Sequence, residues 1–420
     1  MTLVHAEAVK NTKNVAVVRG KNFVIPGILV SVASSSMRYK GRPDLALIVS
    51  EDHNGIPAAG VFTKNLFTAA PVIVSKHHIE QKADHIRAIL INAGIANACT
   101  GEEGVRRARR SAELVAKALG VPLESVLVAS TGVIGPQIDV DLIASYMDEL
   151  LSGLAPNRWH EAAQAIMTTD TVPKLAYAEI EINGTRIKIG GIAKGSGMIA
   201  PNMATMLGFI CTDAFIEPSL LNQFLRHAVS RSFNAITVDG DTSTNDTVFL
   251  LASGKAGITI RDSDPDSCRT FLDALEAVSL DLSHQITLDG EGATKFIEIQ
   301  VVGASTEEDA KKVARTVAES PLVKTAFYGE DANWGRVVAA VGRSGVDINP
   351  QAVSLFFNDV CVFRSGMPVN DQSTEELANA EFKKKHINVR ISVGSGNATF
   401  RMWTCDLSHD YVTINAKYRT

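Results

Sequence analysis

The stretch that most constrains the fold is the segment 190–214, in which a glycine-rich loop runs directly into an apolar strand. The loop part, residues 190–205, contains four glycines and one proline. The part from Met206 to Cys211 is a continuous apolar run, which is typical of a buried strand. Gly195 and Gly197 permit positive φ angles, and Pro201 restricts its own backbone and that of the residue before it. The chain must therefore bury a strand that follows a tightly restrained loop.

Thr205, one residue before this apolar run, allows two interpretations. It is either a structural residue at the head of the strand or a nucleophile. A threonine hydroxyl is a weak nucleophile that needs an adjacent base. If the peptide bond before Thr205 were cut, its own α-amine, with a pKa near ~8, would supply that base. On these residues alone, the structural interpretation is the simpler one.

Several long segments favour the nucleophile interpretation of Thr205, because they resemble one family. The segment 194–214 resembles the self-cleavage region of the ornithine acetyltransferase family, the self-cleaving glutamate N-acetyltransferases of arginine biosynthesis. Other segments resemble further blocks of that family in the expected order, so that the resemblance spans nearly the whole chain. They are ASTGVIG (129–135), MTTDTVPK (167–174), SFNAITVDGDTSTND (232–246), DGEGATKF (289–296), DANWGRVVAAVG (331–342) and VTINAKYRT (412–420).

The resemblance implies a specific reaction. The precursor would cut itself between Ala204 and Thr205, giving an α chain of residues 1–204 and a β chain of residues 205–420. Thr205 would take the acetyl group of N2-acetyl-L-ornithine as an ester and pass it to L-glutamate. The resemblance calls for no metal and no organic cofactor. Some members also accept acetyl-CoA as a donor, and the sequence leaves open whether this chain does.

The resemblance also assigns the site residues. Thr131 and Gly132 follow a predicted strand, and the resemblance implies that they form an oxyanion hole for the tetrahedral intermediate. Lys194 suits a carboxylate and Glu291 a cationic amine, although Glu291 alone, between two glycines, would indicate an exposed turn. A functional C-terminal tail would have to fold back into the site. The positions implied for substrate binding are Thr168, Lys194, Thr205, Glu291, Asn415 and Thr420.

The residue pattern predicts a mixed α and β protein. The resemblance implies an α+β fold, a layered αββα sandwich of the self-processing N-terminal-nucleophile type. Residues 205–288 would complete that sandwich, and residues 289–420 would form a smaller C-terminal α/β domain.

The local patterns give the predicted elements. The first ~95 residues predict short strands, among them PVIVS (71–75). Asn183-Gly184 predicts a hairpin turn. Helices are predicted over residues 104–120, 139–169, 217–231, 264–280 and 306–319. The first is expected to begin with a capping box of Thr100 and Glu103, and the last with Ser305 and Glu308. The arginine-rich face of the helix over 104–120 is either solvated or a subunit contact.

Charge and composition exclude other partners. The formal net charge is only −5 over 420 residues, which argues against binding nucleic acid or an anionic membrane surface. No apolar run approaches the ~20 residues of a membrane span, and the first residues lack the apolar core of a signal peptide. The five cysteines are scattered and form no metal or disulfide pattern, so we expect a reducing cytoplasm.

The resemblance implies an α2β2 assembly.

Three other motifs fail on their details. The glycines at 195 and 197 mimic a dinucleotide fingerprint, but Pro201 interrupts the helix that it requires. The acidic loop over 239–250 lacks the central glycine and the final glutamate of a calcium loop. His77 and His78 have no further ligands nearby in the sequence, so a zinc site is not expected.

Two alternative functions remain open at this point. A related N-terminal-nucleophile aminopeptidase or amidase would use the same threonine but pass the acyl group to water, so that its activity would not depend on glutamate. A binding protein without catalytic activity would remain a single uncut chain.

Overall fold

The computed structural model describes residues 15–200, 206–369 and 371–417; Ala204, Thr205 and Thr420 lie outside the described residues. The strands, in chain order, are β1 (Val17–Arg19), β2 (Ile28–Ala33), β3 (Leu45–Ser50), β4 (Ala58–Phe62), β5 (Ala88–Ile95), β6 (Val126–Val133), β7 (Lys174–Ile182), β8 (Thr185–Lys194), β9 (Leu207–Thr212), β10 (Phe215–Ile216), β11 (Ile236–Thr237), β12 (Thr247–Ala252), β13 (Thr259–Ile260), β14 (Phe296–Ala304), β15 (Ser354–Phe357), β16 (Val360–Arg364), β17 (Met367–Pro368), β18 (His386–Ser392) and β19 (Ala398–Cys405). The α-helices are α1 (Ala70–Lys82), α2 (Gly101–Leu119), α3 (Val140–Ser145), α4 (Met147–Ser152), α5 (Trp159–Ala165), α6 (Pro218–Arg231), α7 (Pro265–Leu288), α8 (Glu307–Ala318), α9 (Pro321–Tyr328), α10 (Trp334–Gly342), α11 (Gln372–Phe382) and α12 (His409–Lys417).

Two sheets packed face to face form the main body. A four-stranded sheet runs in the order β2-β3-β5-β6, and a six-stranded sheet runs in the order β1-β7-β8-β9-β12-β4. Apolar side chains from both sheets fill the space between them, for example Ile48, Ile91, Phe209 and Phe249. The outer face of the smaller sheet packs against α1 and α2, and that of the larger sheet against α6 and α7. This is the predicted αββα layering.

A further sheet of seven strands follows in the C-terminal part, in the order β11-β19-β14-β18-β15-β16-β17. Strand β14 pairs antiparallel with β19 and parallel with β18, and α8 covers β14 and β19. The predicted boundary between residues 288 and 289 falls at the end of α7. The short strand β11 precedes that boundary but pairs with β19, so the two parts of the chain are joined by backbone hydrogen bonds.

Several local predictions are confirmed. Asn183 and Gly184 have φ angles of 51° and 76°, which a type I′ turn between β7 and β8 requires. The helix predicted over 217–231 is α6, and that over 104–120 is α2.

In the described part of the chain, no helix is both long and apolar enough to cross a membrane.

Other local predictions are wrong. The run PVIVS, predicted as a strand, lies in helix α1, where Pro71 occupies the first turn and Val72 and Val74 are buried. Burial against the neighbouring layer overrides the weak strand preference of these residues. The helix predicted over 139–169 is divided into α3, α4 and α5, and α7 extends beyond residue 280 to Leu288.

Both predicted capping boxes are also wrong. The Thr100 hydroxyl donates to Oδ1 of Asn97 instead of accepting from the helix, and Glu103 pairs with arginines on its own helix. At α8 the cap is one residue later than predicted, because Thr306 accepts the N–H of Asp309.

Candidate active site

A cavity of about 390 Å³ opens where β6 and β8 end and the chain enters β9. All the sequence-predicted site residues that the structure describes contribute to its wall. They are Thr131, Gly132, Thr168, Lys194, Glu291 and Asn415. These positions come from five separate segments of the sequence, so the fold brings together what the chain separates. Ala204, Thr205 and Thr420 lie outside the described residues, whereas Met206, which follows Thr205, is buried.

Thr131 and Gly132 lie near the end of β6, beside the parallel strand β5. Gly132 has a φ angle of 132° and pairs with Gly94. A Cβ atom at residue 132 would overlap the backbone of Gly94, so only glycine fits there. Thr131 is 7% exposed at the cavity wall. A hydroxyl and a tightly packed backbone at a strand end can together supply donors to a developing oxyanion.

Lys194 is a buried cation at the end of β8, only 4% exposed. Its ammonium group makes no hydrogen bond or ion pair of its own with the described residues. Burial lowers the pKa of Lys194, and the charge of Lys174 adds to this shift. The carboxylates of Asp170, Asp246 and Glu291 oppose it. A buried ammonium group that faces a cavity and lacks a direct partner suits an anionic group of a ligand.

Glu291 supplies the opposite charge. It is 7% exposed, and its Oε2 accepts a hydrogen bond from Nδ2 of Asn415 at 2.7 Å. Its backbone N–H donates to the carbonyl of Ser196 at 3.0 Å, which fixes the loop around residue 291 to the loop after β8. A Cβ atom at Gly197 would overlap the Glu291 carboxyl group, so this glycine makes room for it.

The helix α12 closes one side of the cavity. Tyr411 and Asn415 on this helix both line the cavity. The Tyr411 hydroxyl donates to Oδ2 of Asp239 at 3.4 Å, and Asn415 binds Glu291. Helix α12 is therefore part of the wall and is anchored at two acidic residues.

A buried ion network, which the sequence analysis missed, fixes the loops of the site. The Lys174 ammonium group binds Oδ1 of Asp170 at 2.7 Å and Oδ2 of Asp289 at 2.6 Å, with the Lys174 side chain fully buried. Asp170 also accepts the backbone N–H groups of Gly195 and Thr168, at 2.7 and 3.0 Å. The network therefore connects the three loops that carry Thr168, Lys194 and Glu291.

The charges of this network support one another. Burial raises the pKa of Asp170, but the ammonium groups of Lys174 and Lys194 outweigh it and hold that pKa below its usual value. Burial lowers the pKa of Lys174, but Asp170 and Asp289 outweigh it and hold that pKa above its usual value. Both groups are thus ionised at neutral pH. No signal in the sequence indicates that Asp289 lies beside Lys174, because 115 residues separate them.

Thr168 and Thr169 both line the cavity. The resemblance selects Thr168, whose backbone N–H donates to Oδ2 of Asp170 at 3.0 Å. Both threonines therefore remain candidates for a contact with the substrate.

The loop 239–246 holds the chain on both sides of residues 201–205. Upstream, Asp239 accepts the backbone N–H groups of Met198 and Ile199, at 2.5 and 2.8 Å. Downstream, Oδ1 of Asp246 accepts the N–H of Met206 at 2.9 Å. The sequence analysis rejected this acidic loop as a calcium site and assigned it no other role.

A larger cavity of about 520 Å³ lies in the C-terminal part, beside α10 and α11. Three of its polar side chains are engaged in local structure: Asn333 caps α10, Asp371 caps α11, and Oδ1 of Asn379 accepts the N–H of Ala332. We therefore locate the candidate active site in the smaller cavity, where buried charges converge. Among the described residues, no group of three or more His, Cys, Asp or Glu side chains is arranged to hold a metal ion.

The sequence of the chain is similar to those of several known proteins. The sequence profile of the ArgJ family matches residues 29–420. A protein named arginine biosynthesis bifunctional protein ArgJ, from Desulfotalea psychrophila, is 48% identical over 396 residues, which cover 94% of this chain and 100% of the relative. A protein of the same name from Chlorobaculum tepidum is 46% identical over 402 residues, covering 95% and 96%. A crystal structure of the protein of that name from Bacillus halodurans is 42% identical, with a TM-score of 0.49, and covers 51% of this chain and 100% of the solved chain.

Proposed function

This chain belongs to the ArgJ family, and we propose that it is an acyltransferase that moves the acetyl group of N2-acetyl-L-ornithine to L-glutamate in arginine biosynthesis. The observation that carries this proposal is the presence of two buried, opposite charges in the wall of the smaller cavity. A buried ammonium group without a direct partner, Lys194, and a buried carboxylate, Glu291, line the same wall. An amino acid substrate presents the complementary charges.

Thr205 is the proposed nucleophile. After self-cleavage between Ala204 and Thr205, its α-amine would take the proton of its hydroxyl group, which then attacks the acetyl carbonyl. Thr131 and Gly132 would stabilise the oxyanion. The α-ammonium group gives this proton to the leaving nitrogen of ornithine, and an acetyl ester on Thr205 remains. The amine of L-glutamate then attacks that ester, and its proton passes through the α-amine to restore the Thr205 hydroxyl group. Acceptor and donor thus use one site in turn, and the mechanism requires no metal and no organic cofactor.

The substrate contacts follow from charge. Lys194 would bind the α-carboxylate that acetylornithine and glutamate share. Glu291 would bind the side-chain ammonium group of ornithine, with Asn415 holding the carboxylate in place. Thr168 and, from the end of the tail, Thr420 would complete the set.

We further propose acetyl-CoA as a second donor. The relatives are named bifunctional proteins, and an acetyl ester on Thr205 would serve either donor with the same acceptor. We also propose that the fragments 1–204 and 205–420 assemble as α2β2 in the cytoplasm.

The test is acetyl transfer by the purified protein with N2-acetyl-L-ornithine, with and without L-glutamate, and then with acetyl-CoA as donor. We expect release of ornithine to accelerate with glutamate and N-acetyl-L-glutamate to accumulate. A Thr205→Ala variant should be uncut and inactive. Equal ornithine release without glutamate would instead favour an amidase that passes the acyl group to water.

A further inference from the structure

A basic loop, residues 34–43, lies between β2 and β3 and has no role in the proposed mechanism. It contains Arg38, Lys40 and Arg42 and no acidic residue. Arg38 and Lys40 are exposed, and Arg42 is partly buried. Three positive charges on one short loop attract an anionic ligand.

The backbone of the basic loop is held by the buried carboxylate of Asp44, the next residue along the chain. Its Oδ1 accepts the N–H of Ser35 at 2.7 Å, and its Oδ2 accepts the N–H of Met37 at 2.8 Å. The carbonyl of Asp44 accepts the N–H of Ala93 on β5 at 2.8 Å. The loop is thus fixed to the smaller sheet, and a site that is ordered in advance loses less freedom when a ligand binds.

The basic loop lies at the edge of the smaller cavity. A Cβ atom placed on Gly94 would be 2.7 Å from the Cβ of Arg38, so the two segments are in close contact. Gly94 pairs in turn with Gly132, which lines the cavity. In addition, Nη2 of Arg42 donates to the carbonyl of Met167 at 2.6 Å, directly before the cavity-lining threonines. The loop therefore borders the wall, although none of its residues is in the described lining.

The guanidinium group of Arg42 is held in place but not saturated with partners. It stacks on the ring of Tyr39, 3.9 Å from the ring centroid. Its Nε is buried and has no hydrogen-bond partner among the described residues. A buried donor in this state is unfavourable unless another group engages it. The planar fork of a guanidinium group matches the oxygens of a phosphate group.

The place of the basic loop discriminates between the two proposed donors. The charges of N2-acetyl-L-ornithine lie near its acetyl group, where Lys194 and Glu291 in the cavity wall meet them. Acetyl-CoA instead carries its negative charges on phosphate groups, at the far end of a long flexible arm. With its acetyl group in the cavity, those phosphates lie outside, where the basic loop provides positive charge.

We propose that the basic loop 34–43 binds the phosphate groups of acetyl-CoA. This inference rests on the proposed function, in which acetyl-CoA is the second donor. Arg38 and Lys40 meet the phosphates from the exposed side of the loop, and Arg42 adds a third charge and its unsatisfied donor. N2-acetyl-L-ornithine has no phosphate group, so its binding does not depend on this loop.

The decisive variant is the double substitution Arg38→Gln/Lys40→Gln, which removes two charges and keeps polar side chains. The matched control is Arg106→Gln/Arg109→Gln, which removes two charges from the surface of α2. These two side chains are 77% and 60% exposed and pair with glutamates of their own helix. Binding of adenosine 3′,5′-bisphosphate, the nucleotide part of the donor without its acetyl arm, would be measured by calorimetry. Acetyl transfer would be measured with each donor in turn.

We expect the double variant of the loop to raise both the Kd of the bisphosphate and the KM of acetyl-CoA about 10-fold or more, because charge-assisted hydrogen bonds to phosphate are strong. Its KM for N2-acetyl-L-ornithine should stay within about twofold of the wild-type value, as should all three constants of the control, because salt screens a change of distant surface charge.

An unchanged KM for acetyl-CoA in the loop variant, or an equal rise in the control, would overturn the inference while leaving acetyl-CoA as a donor. A wild type that uses N2-acetyl-L-ornithine but neither uses acetyl-CoA nor binds the bisphosphate would overturn both the inference and the second donor. A wild type that transfers acetyl groups from neither donor would instead overturn the proposed function.

The wild-type protein gives a second test that does not depend on the folding of any variant. Hydrogen exchange would be followed with and without adenosine 3′,5′-bisphosphate, since a bound ligand suppresses local opening where it binds. We expect slower exchange of the amides over residues 34–43 and unchanged exchange in α2. Protection confined to other parts of the chain would contradict the assignment of the phosphate site to this loop.

Discussion

At the scale of single residues, the carboxyl group of Glu291 is held in one position by its neighbours. Asn415 holds one carboxylate oxygen, and Gly197 leaves the space that the carboxyl group occupies. The sequence identified Glu291 only through the resemblance, because an acid between two glycines otherwise predicts an exposed turn. The structure instead buries it in the cavity wall, near the ammonium group of Lys194.

Replacing Glu291 by glutamine should weaken binding of the donor. The amide can still meet Asn415 but cannot offer a charge to the side-chain ammonium group of ornithine. We expect the KM for N2-acetyl-L-ornithine to rise about 10- to 100-fold, since a hydrogen bond to a charged group contributes ~1.5–3 kcal/mol. Steady-state kinetics measure this. A Glu298→Gln control, in which the changed residue accepts a hydrogen bond from Trp403 in the seven-stranded sheet, should keep the wild-type KM.

Replacing Gly197 by alanine should displace the carboxyl group of Glu291 without removing any charge. Because small misplacements of binding groups near the reacting atoms are costly, we expect kcat/KM to fall about 100-fold. The control is Gly342→Ala, where an added Cβ atom meets open space at the end of α10. Equal kcat/KM values for both variants would show that the position of Glu291 is unimportant.

The sequence predicted the residues that line the cavity but missed the residues that hold its loops in place. Those positions implied by the resemblance that the structure describes line one cavity, since motif residues carry the chemistry directly. The network of Asp170, Lys174 and Asp289 was missed because it depends on how distant loops fold together. Asp246 was missed for the same reason: only the parallel pairing of β9 and β12 brings it beside Met206.

At the scale of elements, turn chemistry was easier to predict than helix boundaries. Asn183-Gly184 specifies its turn locally, through φ angles that few residues adopt. Helix α1 was missed because its β-branched residues resemble a strand, and packing decided the outcome. The long helix α7 extends past its predicted end, with buried residues that include His284 in its last turns.

His284, in helix α7, should make the stability of the folded protein depend on pH. It is buried between Phe296 and Trp403, its Nε2 has no hydrogen-bond partner among the described residues, and burial lowers its pKa to about 3. In the unfolded chain this histidine takes a proton below pH ~6.5. The unfolded state therefore binds more protons between these values, so the stability that the neutral histidine allows is lost as the pH falls from ~6.5 towards 3.

A His284→Leu variant should remove this dependence. From pH 7 to pH 5 the wild type should lose about 2 kcal/mol more stability than the variant, because only its unfolded state becomes protonated there. Paired melting temperatures at the two pH values measure the difference. Equal decreases in melting temperature for both proteins would show that His284 is protonated in the folded state.

At the scale of the whole molecule, the two proposed fragments are interleaved in one sheet. The order β1-β7-β8-β9-β12-β4 places strands of residues 205–420, β9 and β12, between strands of residues 1–204. Strand β9 pairs antiparallel with β8, and β12 pairs antiparallel with β4. Separating the fragments would break two strand ladders and expose the core between the sheets.

The cut protein should therefore behave as one folded unit. We expect both fragments to co-elute in gel filtration under native conditions, at about twice the 45.0 kDa of one chain if the assembly is α2β2. They should separate only in denaturant. Fragments that separate in native buffer would contradict the interleaved sheet.

The most direct test of the account is the intact mass of the purified protein in denaturant, with N-terminal sequencing, before and after brief incubation with N2-acetyl-L-ornithine. The account predicts two fragments, the second beginning Thr205-Met206-Leu207, and a gain of one acetyl group on that fragment alone. A single uncut chain that is nevertheless active, or an acetyl group on the first fragment, would contradict the assignment of Thr205 as the nucleophile.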